Sequence, residues 1–454
     1  MMRKWVVLVL VLLIVVAAWP VFVGGQVERN VTEAQQARIG EVDLRHEMVE
    51  YRRSYRTATA RSELTLDDGE AELVIPLEHR VRHGVLGARG ESNVDLDALE
   101  APEGSLAAHL LRELDLVVQT HAGMGGRLTT RVQFEPLTLD LMEVPDVADR
   151  VDSEGPLWLE LDAGQGRFAW SAEQLLLSLD LPALRLHDDE ADLRIEQARF
   201  ATVFEPDADG IYGRLPDYEG GLAAAQLHFR DEQGEMELTR PRVNAFQKTN
   251  NDRLDSRLRL EIDEVRLREA DADVLELETV DLQLAVLRWD RPALLQMIQD
   301  LEALQERELE RGQRLALGGS VITDAIERMI EHSPAVELKA SFNESAAHQV
   351  ALDTELGLRG DARGFRTRPL ETVVLDSELR LGLEWVREFD AAYPDAELDQ
   401  RLHALAAQGW LQRDADAELW RGHLTMEDGR VYVNERDRTA ALLGMLFALS
   451  GGMF

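Results

Sequence analysis

Two histidines four residues apart, His79 and His83 in LEHRVRHGVLG (77–87), have the spacing that most resembles a chemical site. On a helix, side chains at i and i+4 lie about 5–6 Å apart and chelate a single metal ion. On a strand, four residues cover ~13 Å, and two imidazoles cannot share a metal. The flanking residues decide between these. Leu73, Ile75, Leu77, His79, Val81 and His83 are all odd-numbered, while Glu72, Glu78, Arg80 and Arg82 fall between them. A period of two predicts a strand. Both histidines are then expected on its apolar face, as pieces of wall rather than as ligands.

The other candidates are weaker. EPDADGIYGRLP (205–216) places Glu205, Asp207, Asp209 and Gly210 like the first, third, fifth and sixth positions of a calcium loop. Its twelfth position, which needs a bidentate glutamate, is Pro216, and no helical pattern flanks it. HDDEAD (187–192) reads as a solvated acidic turn between strands. HAGMGG (121–126) is glycine-rich, but it is not the spacing of a dinucleotide loop and no helix pattern follows it. The chain has no cysteine, which excludes disulfides, thiolate metal sites and cysteine nucleophiles. The sequence holds no nucleophile elbow, zinc-protease pair or phosphate loop. No catalytic, cofactor-binding or metal-binding residue is assigned, and no cofactor is expected.

The elements that must position any site are marked first by composition. The 454 residues are 45% hydrophobic and 30% charged, as in a folded chain. Asp and Glu number 85 against 49 Lys and Arg, a formal charge of −36. A body this acidic is not expected to bind nucleic acid, or anionic headgroups, by its overall charge.

The amino terminus begins MMRKW, and residues 5–23 then carry no charge. Nineteen residues at ~1.5 Å each match the hydrocarbon core of a bilayer. Arg3 and Lys4 predict a cytoplasmic start and an exported body. The apolar run continues past Ala18, the point where a cleaved signal would end, to Val23. Residues 1–25 are therefore expected to be a retained signal-anchor.

Past the anchor, the expected fold is α+β and mostly β, a long antiparallel meander with a central helical segment. Residues 26–40 read as a helical neck, from Val27, Val31, Ala34 and Ala37. Residues 41–290 read as β-rich, with Leu254, Leu258, Leu260 and Ile262 sharing one strand face and Leu282, Leu284 and Val286 another. Residues 291–334 read as helical, with Asp290 capping and Pro292 just inside the first turn; a second helix is expected after Gly318-Gly319 and a stop at Ser333-Pro334. Residues 335–454 read as α+β, with a hairpin turning at Asp428-Gly429 and an apolar tail too short to span a bilayer.

The order of these segments resembles the YdgA-like family of Gram-negative envelope proteins, whose function is unsettled. The resemblance rests on VEYRRSYRTATARSELTL, HRVRHGVLG, LQLAVLRWDRPALLQM, LDSELRLGLEWVREF and MEDGRVYVNERDR before a GMLF tail. Where the family tends to place His-Gly-Pro, His83-Gly84 is followed here by Val85. The resemblance implies an inner-membrane anchor and a periplasmic body, and it supplies no catalytic residue. Three functions follow, in order of expectation. The first is a non-enzymatic interaction or assembly factor of the envelope. The second is a lipid-handling protein with an apolar groove on a curved sheet. The third is a carboxylate-dependent hydrolase. The expected partners are the inner membrane through residues 1–25 and a lipid or envelope protein. Homo-oligomerisation is left open.

Overall fold

The computed structural model describes residues 35–441, apart from 40–41, 54–56, 68–71, 84–86, 101–104, 124–127, 149, 152–154, 171–173, 206–215, 270–274, 306, 308–310, 344 and 394–395. The described chain is mostly β, with large antiparallel sheet. It divides into two compact units, Met1–Pro241 and Arg242–Phe454. This division falls inside the region read as one β-rich stretch. Strands of the same period flank it on both sides, so the sequence carries no linker signal there.

In the first unit β1 (Gln35–Ile39), β2 (Val42–Arg53), β3 (Thr57–Asp67), β4 (Glu72–His83) and β5 (Gly87–Val94) pair in chain order. A helix, α1 (Leu106–Glu113), interrupts before β6 (Leu116–Gly123) joins β5 and β7 (Leu128–Phe134) joins β6. The hairpin of β8 (Leu137–Asp140) and β9 (Trp158–Leu161) encloses a short helix, α2 (Pro145–Ala148). The main sheet resumes with β10 (Gly164–Trp170) against β7, then β11 (Leu175–His187) and β12 (Asp192–Glu205). β9 borders the second half of β11. β13 (Asp217–Ala223) and β14 (Gln226–Arg230) share the next edge of β12, and β15 (Gly234–Thr239) follows β14.

Alternation builds the core of this unit. Along β3 every second residue is buried, and Leu64 and Leu66 pack with Leu73, Ile75 and Leu77 of β4. Leu106, Leu110 and Leu111, on one stripe of α1, cover this face together with Leu139 and Leu159 of the side hairpin. Each fully buried aliphatic side chain contributes about 1.5–3 kcal/mol, enough for a two-turn helix to persist among strands.

In the second unit β16 (Arg242–Asn250), β17 (Arg253–Glu269) and β18 (Leu275–Asp290) pair in order. The helices α3 (Arg291–Gln305) and α4 (Arg311–Met329) follow as a hairpin. β19 (Ala335–Phe342) then returns beside β18, and β20 (Val350–Leu358) pairs with β19. Two short helices, α5 (Ala362–Thr367) and α6 (Pro369–Thr372), lead to β21 (Val373–Gly382) beside β20. α7 (Leu383–Ala392) and α8 (Leu398–Ala407) precede β22 (Gln412–Asp414), β23 (Leu419–Glu427), β24 (Arg430–Val433) and β25 (Arg436–Asp437). β23 pairs with β21, β22 and β24.

Local signals placed several of these elements. The Asp290 carboxylate accepts from the Ala293 amide at 2.7 Å, the expected helix cap. Ser333 ends the helical segment at φ 53. Asp428 (φ 50) and Gly429 (φ 72) form the left-handed pair that a two-residue hairpin requires.

Other expectations are corrected. Gln35–Ile39, read as the end of a helical neck, is a strand paired with β2; two of the four residues marking that neck are alanines, which hold a helix stripe weakly against a neighbouring strand. The second helix of the central segment runs through Gly318-Gly319 rather than starting after it. The apolar run at 5–23, the rest of the neck and the tail from 442 lie outside the described residues. Among the described residues no helix is long and apolar enough to cross a membrane.

Candidate functional site

His79 is 1% exposed on the core face of β4. Cross-strand register sets Ala60 and Ser92 beside it, with Ser62 one step along β3. Its Nε2 lies 2.7 Å from Ser62 Oγ and its Nδ1 lies 3.0 Å from Ser92 Oγ. A neutral imidazole has one donor and one acceptor nitrogen, so one serine accepts from the ring and the other donates to it. Burial drives its pKa down to about 3. A histidine beside a serine can activate a nucleophile. Here both serines are also 1% exposed, so no substrate can reach them. The arrangement is a dry hydrogen-bonded tie across β3, β4 and β5, the wall that alternation predicts. His83 ends the same strand, and its side chain lies outside the described residues.

The remaining motifs are connections. Glu205 pairs with Asp217 across a strand hairpin, so strands rather than helices flank the calcium-like stretch, whose residues 206–215 lie outside the described ones. In HDDEAD the Asp188 carboxylate accepts from the Glu190 and Ala191 amides at 2.8 and 2.7 Å, closing a tight turn. Asp192 is held by both arms of Arg185 at 2.9 and 3.0 Å. The first half of HAGMGG, His121–Gly123, is the end of β6, and residues 124–126 lie outside the described ones. Among the described residues, no group of three or more His, Asp or Glu could hold a metal ion.

The second unit presents a different surface. On the strands from β16 to β23 one face carries aliphatic residues and the other carries ion pairs. Arg259 grips Asp281 at 2.9 and 2.8 Å, Arg242 meets Asp263 at 2.8 Å and Arg421 meets Glu378 at 2.7 Å. On the aliphatic face Leu258, Leu284 and Leu338 stand directly opposite one another across three strands. They are 47%, 45% and 42% exposed, and Leu356 on the next strand is 47% exposed. One end of this face is closed: Ile262 and Val280, a register pair, are each 7% exposed. A register shift at Leu254/Ser256 sets Leu254 apart from the others, buried at 2%. The helical hairpin does not cover the leucines. Ala293, Ala325 and Met329 pack on each other and on Trp289 at the end of β18. A row of half-exposed leucines in mid-sheet is the kind of contiguous apolar surface that marks a binding site.

The first unit holds a feature that sequence reading missed. A cavity of about 1080 Å³ opens on the side of the sheet opposite His79. It is lined by residues of six neighbouring strands, among them Arg80, Arg82, Arg89, Arg131 and Arg167. Neighbouring strands lie ~4.8 Å apart, so a cavity shared by six of them requires the sheet to bend around it. Alternation marks Arg80 and Arg82 as off the core face, but curvature has no sequence signature, and the other three arginines lie on separate strands.

A family model described as "Bacterial protein of unknown function (DUF945)" matches residues 2–439. No curated protein and no solved structure matches the chain.

Proposed function

We propose that this chain, which belongs to the bacterial family DUF945, is a non-enzymatic lipid-handling protein of the cell envelope that holds acyl chains against the open leucine face of its second unit. The observation that carries the proposal is the exposure of Leu258, Leu284, Leu338 and Leu356, each at 42–47% in the middle of a paired sheet. The sequence expectation ranked an interaction factor first and lipid handling second, with an open face counting in favour of lipid handling. The face is open, and the ranking changes accordingly.

Its composition favours an acyl chain over a protein. Protein interfaces concentrate binding in Trp, Tyr and Arg, with Leu and Val under-represented at the hot spots. The register rows through Leu258 and Leu282 hold Leu, Val and Ala from β16 to β19, with no aromatic residue. Burying a whole leucine is worth about 1.5–3 kcal/mol, so four that are nearly half exposed hold back roughly 4 kcal/mol in all. About 4 kcal/mol corresponds to a millimolar contact, which suits transient handling at a membrane rather than storage. The same reading includes the inner-membrane anchor at residues 1–25, the periplasmic body and the YdgA-like relationship, for which the resemblance of segments is the support.

Native mass spectrometry of the full chain, extracted in mild detergent, tests the proposal. Wild type is expected to carry lipid, and Leu284→Glu is expected to lose it while remaining folded, because a half-exposed site hydrates the new carboxylate. A second copy of the chain bound in place of lipid would return the interaction reading to first place.

A further inference from the structure

We propose that the arginine-lined cavity of the first unit is a binding site for a phosphate-bearing polyanion. The charge placement carries the argument. The chain has 85 acidic residues and 49 basic ones, yet this wall gathers Arg80, Arg82, Arg89, Arg131 and Arg167 around a single carboxylate, Glu91. Several sheet arginines elsewhere face acids, as Arg61 faces Glu78 at 2.6 Å and Arg185 faces Asp192 at 2.9 Å. Arg80 stands opposite Glu91 in the register, yet among the described residues none of the five arginines forms an ion pair.

The register makes this costly. Arg82 stands directly opposite Arg89, and Arg131 directly opposite Arg167. Like charges at opposed cross-strand positions, about 5 Å apart at Cβ, destabilise a sheet. Two such pairs lie within one concave wall, and an anion between them relieves both. The guanidinium fork matches two oxygens of a phosphate group at once.

The dimensions and the other walls define the ligand class. A cavity of about 1080 Å³ exceeds the needs of a single phosphate ion. Thr57, Thr59, Gln119, His121 and Thr129 add hydroxyl, amide and imidazole groups suited to a sugar or glycerol moiety. Ala58 and Val81, the aliphatic side chains of the lining, are 2% and 4% exposed, so the wall offers an acyl chain little aliphatic surface. The shared chemistry is a phosphorylated polar group, borne either by a lipid headgroup or by a free solute. The acidic body repels such anions at a distance, so recognition rests on close contact inside the cavity. This inference stands apart from the acyl-chain reading: Leu284→Glu is expected to leave it unchanged.

The test uses the full-length chain in non-ionic detergent micelles, with two probes by titration calorimetry: inorganic pyrophosphate, and micelles of the same detergent doped with phosphatidylcholine or with phosphatidylglycerol. Wild type is expected to bind pyrophosphate, or to bind the phosphatidylglycerol micelles more tightly than the phosphatidylcholine micelles. The first result identifies a free phosphorylated solute, and the second a headgroup. The double variant Arg131→Gln/Arg167→Gln is expected to weaken binding at least tenfold, while the thermal midpoint of the ligand-free protein stays level or rises as the cross-strand repulsion is removed. Arg131→Lys, which keeps the charge, is expected to retain part of the affinity. Absence of binding to both probes, equal binding by the double variant, or a lowered ligand-free midpoint in that variant would each overturn the proposal. The last outcome would make the arginines structural.

Discussion

Replacing His79 by glutamine isolates the pH dependence that the dry Ser62–His79–Ser92 tie must impose. Glutamine offers one amide donor and one acceptor oxygen, but it does not titrate. In the folded chain burial holds the His79 pKa at about 3. In the unfolded chain it returns to its ordinary value near 6.5. Between those pH values the unfolded state carries one more proton, so the stability contributed by the neutral ring is complete above pH 6.5 and is lost as pH falls. The slope is about 1.4 kcal/mol per pH unit, giving roughly 3 kcal/mol at pH 4 and roughly 4 kcal/mol at pH 3, where the folded ring itself begins to protonate. Against a typical domain stability of about 5–15 kcal/mol this is a large fraction. Carboxylates titrate over the same range, so the quantity to measure is wild type minus His79→Gln at equal pH. Hydrogen exchange of peptides from residues 57–94 reads it locally, and the intrinsic exchange rates largely cancel in the difference. The difference is expected to be flat from pH 7.5 to 6.5 and then to fall by more than 1 kcal/mol per unit to pH 4. A difference independent of pH would mean that the folded imidazole takes up a proton freely, and the closed tie would be refuted.

Three further outcomes follow from the second unit and from the motifs. Ile262→Glu, at a site 7% exposed, is expected to cost several kcal/mol, whereas Leu284→Glu, at a site 45% exposed, is expected to cost less than about 1 kcal/mol; equal costs in urea unfolding would show that the leucine face is covered. Asp290→Ala removes the acceptor for the Ala293 amide and is expected to cost about 1 kcal/mol, with faster exchange confined to the first turn of α3. Chelator in fixed salt is expected to leave the thermal midpoint unchanged, since the calcium-like stretch has Pro216 where the twelfth ligand belongs; a fall of several degrees reversed by one divalent ion would contradict this.

Much of the fold was legible wherever local chemistry sets the backbone. The alternation through Leu73, Ile75, Leu77 and His79 fixed a strand and put the histidine inside it. Asp290 and Asp428-Gly429 marked a helix start and a hairpin turn. α1 was missed although Leu106, Leu110 and Leu111 have helical spacing, because a two-turn stripe between long strands is easily taken as a connection. The break after Pro241 left no trace, since Arg242–Asn250 alternates like the strands before it. The exposure of Leu284 was beyond sequence reach for another reason: alternation says which residues share a face, not what lies over it. The arginine cavity was the least legible feature. Arg89, Arg131 and Arg167 come from three separate strands and meet only through register and sheet curvature, while the net charge of −36 argued against binding anionic headgroups by overall charge.

The mass of the native protein tests the central claim most directly. The full chain, extracted from its own membranes in mild detergent and sprayed under non-denaturing conditions, should carry bound lipid whose mass reveals its acyl chains. Leu284→Glu, prepared identically and equally folded by circular dichroism, should be bare. A wild-type protein that is bare in every detergent, or a Leu284→Glu protein carrying the same lipid, would contradict an acyl-chain site on the open face.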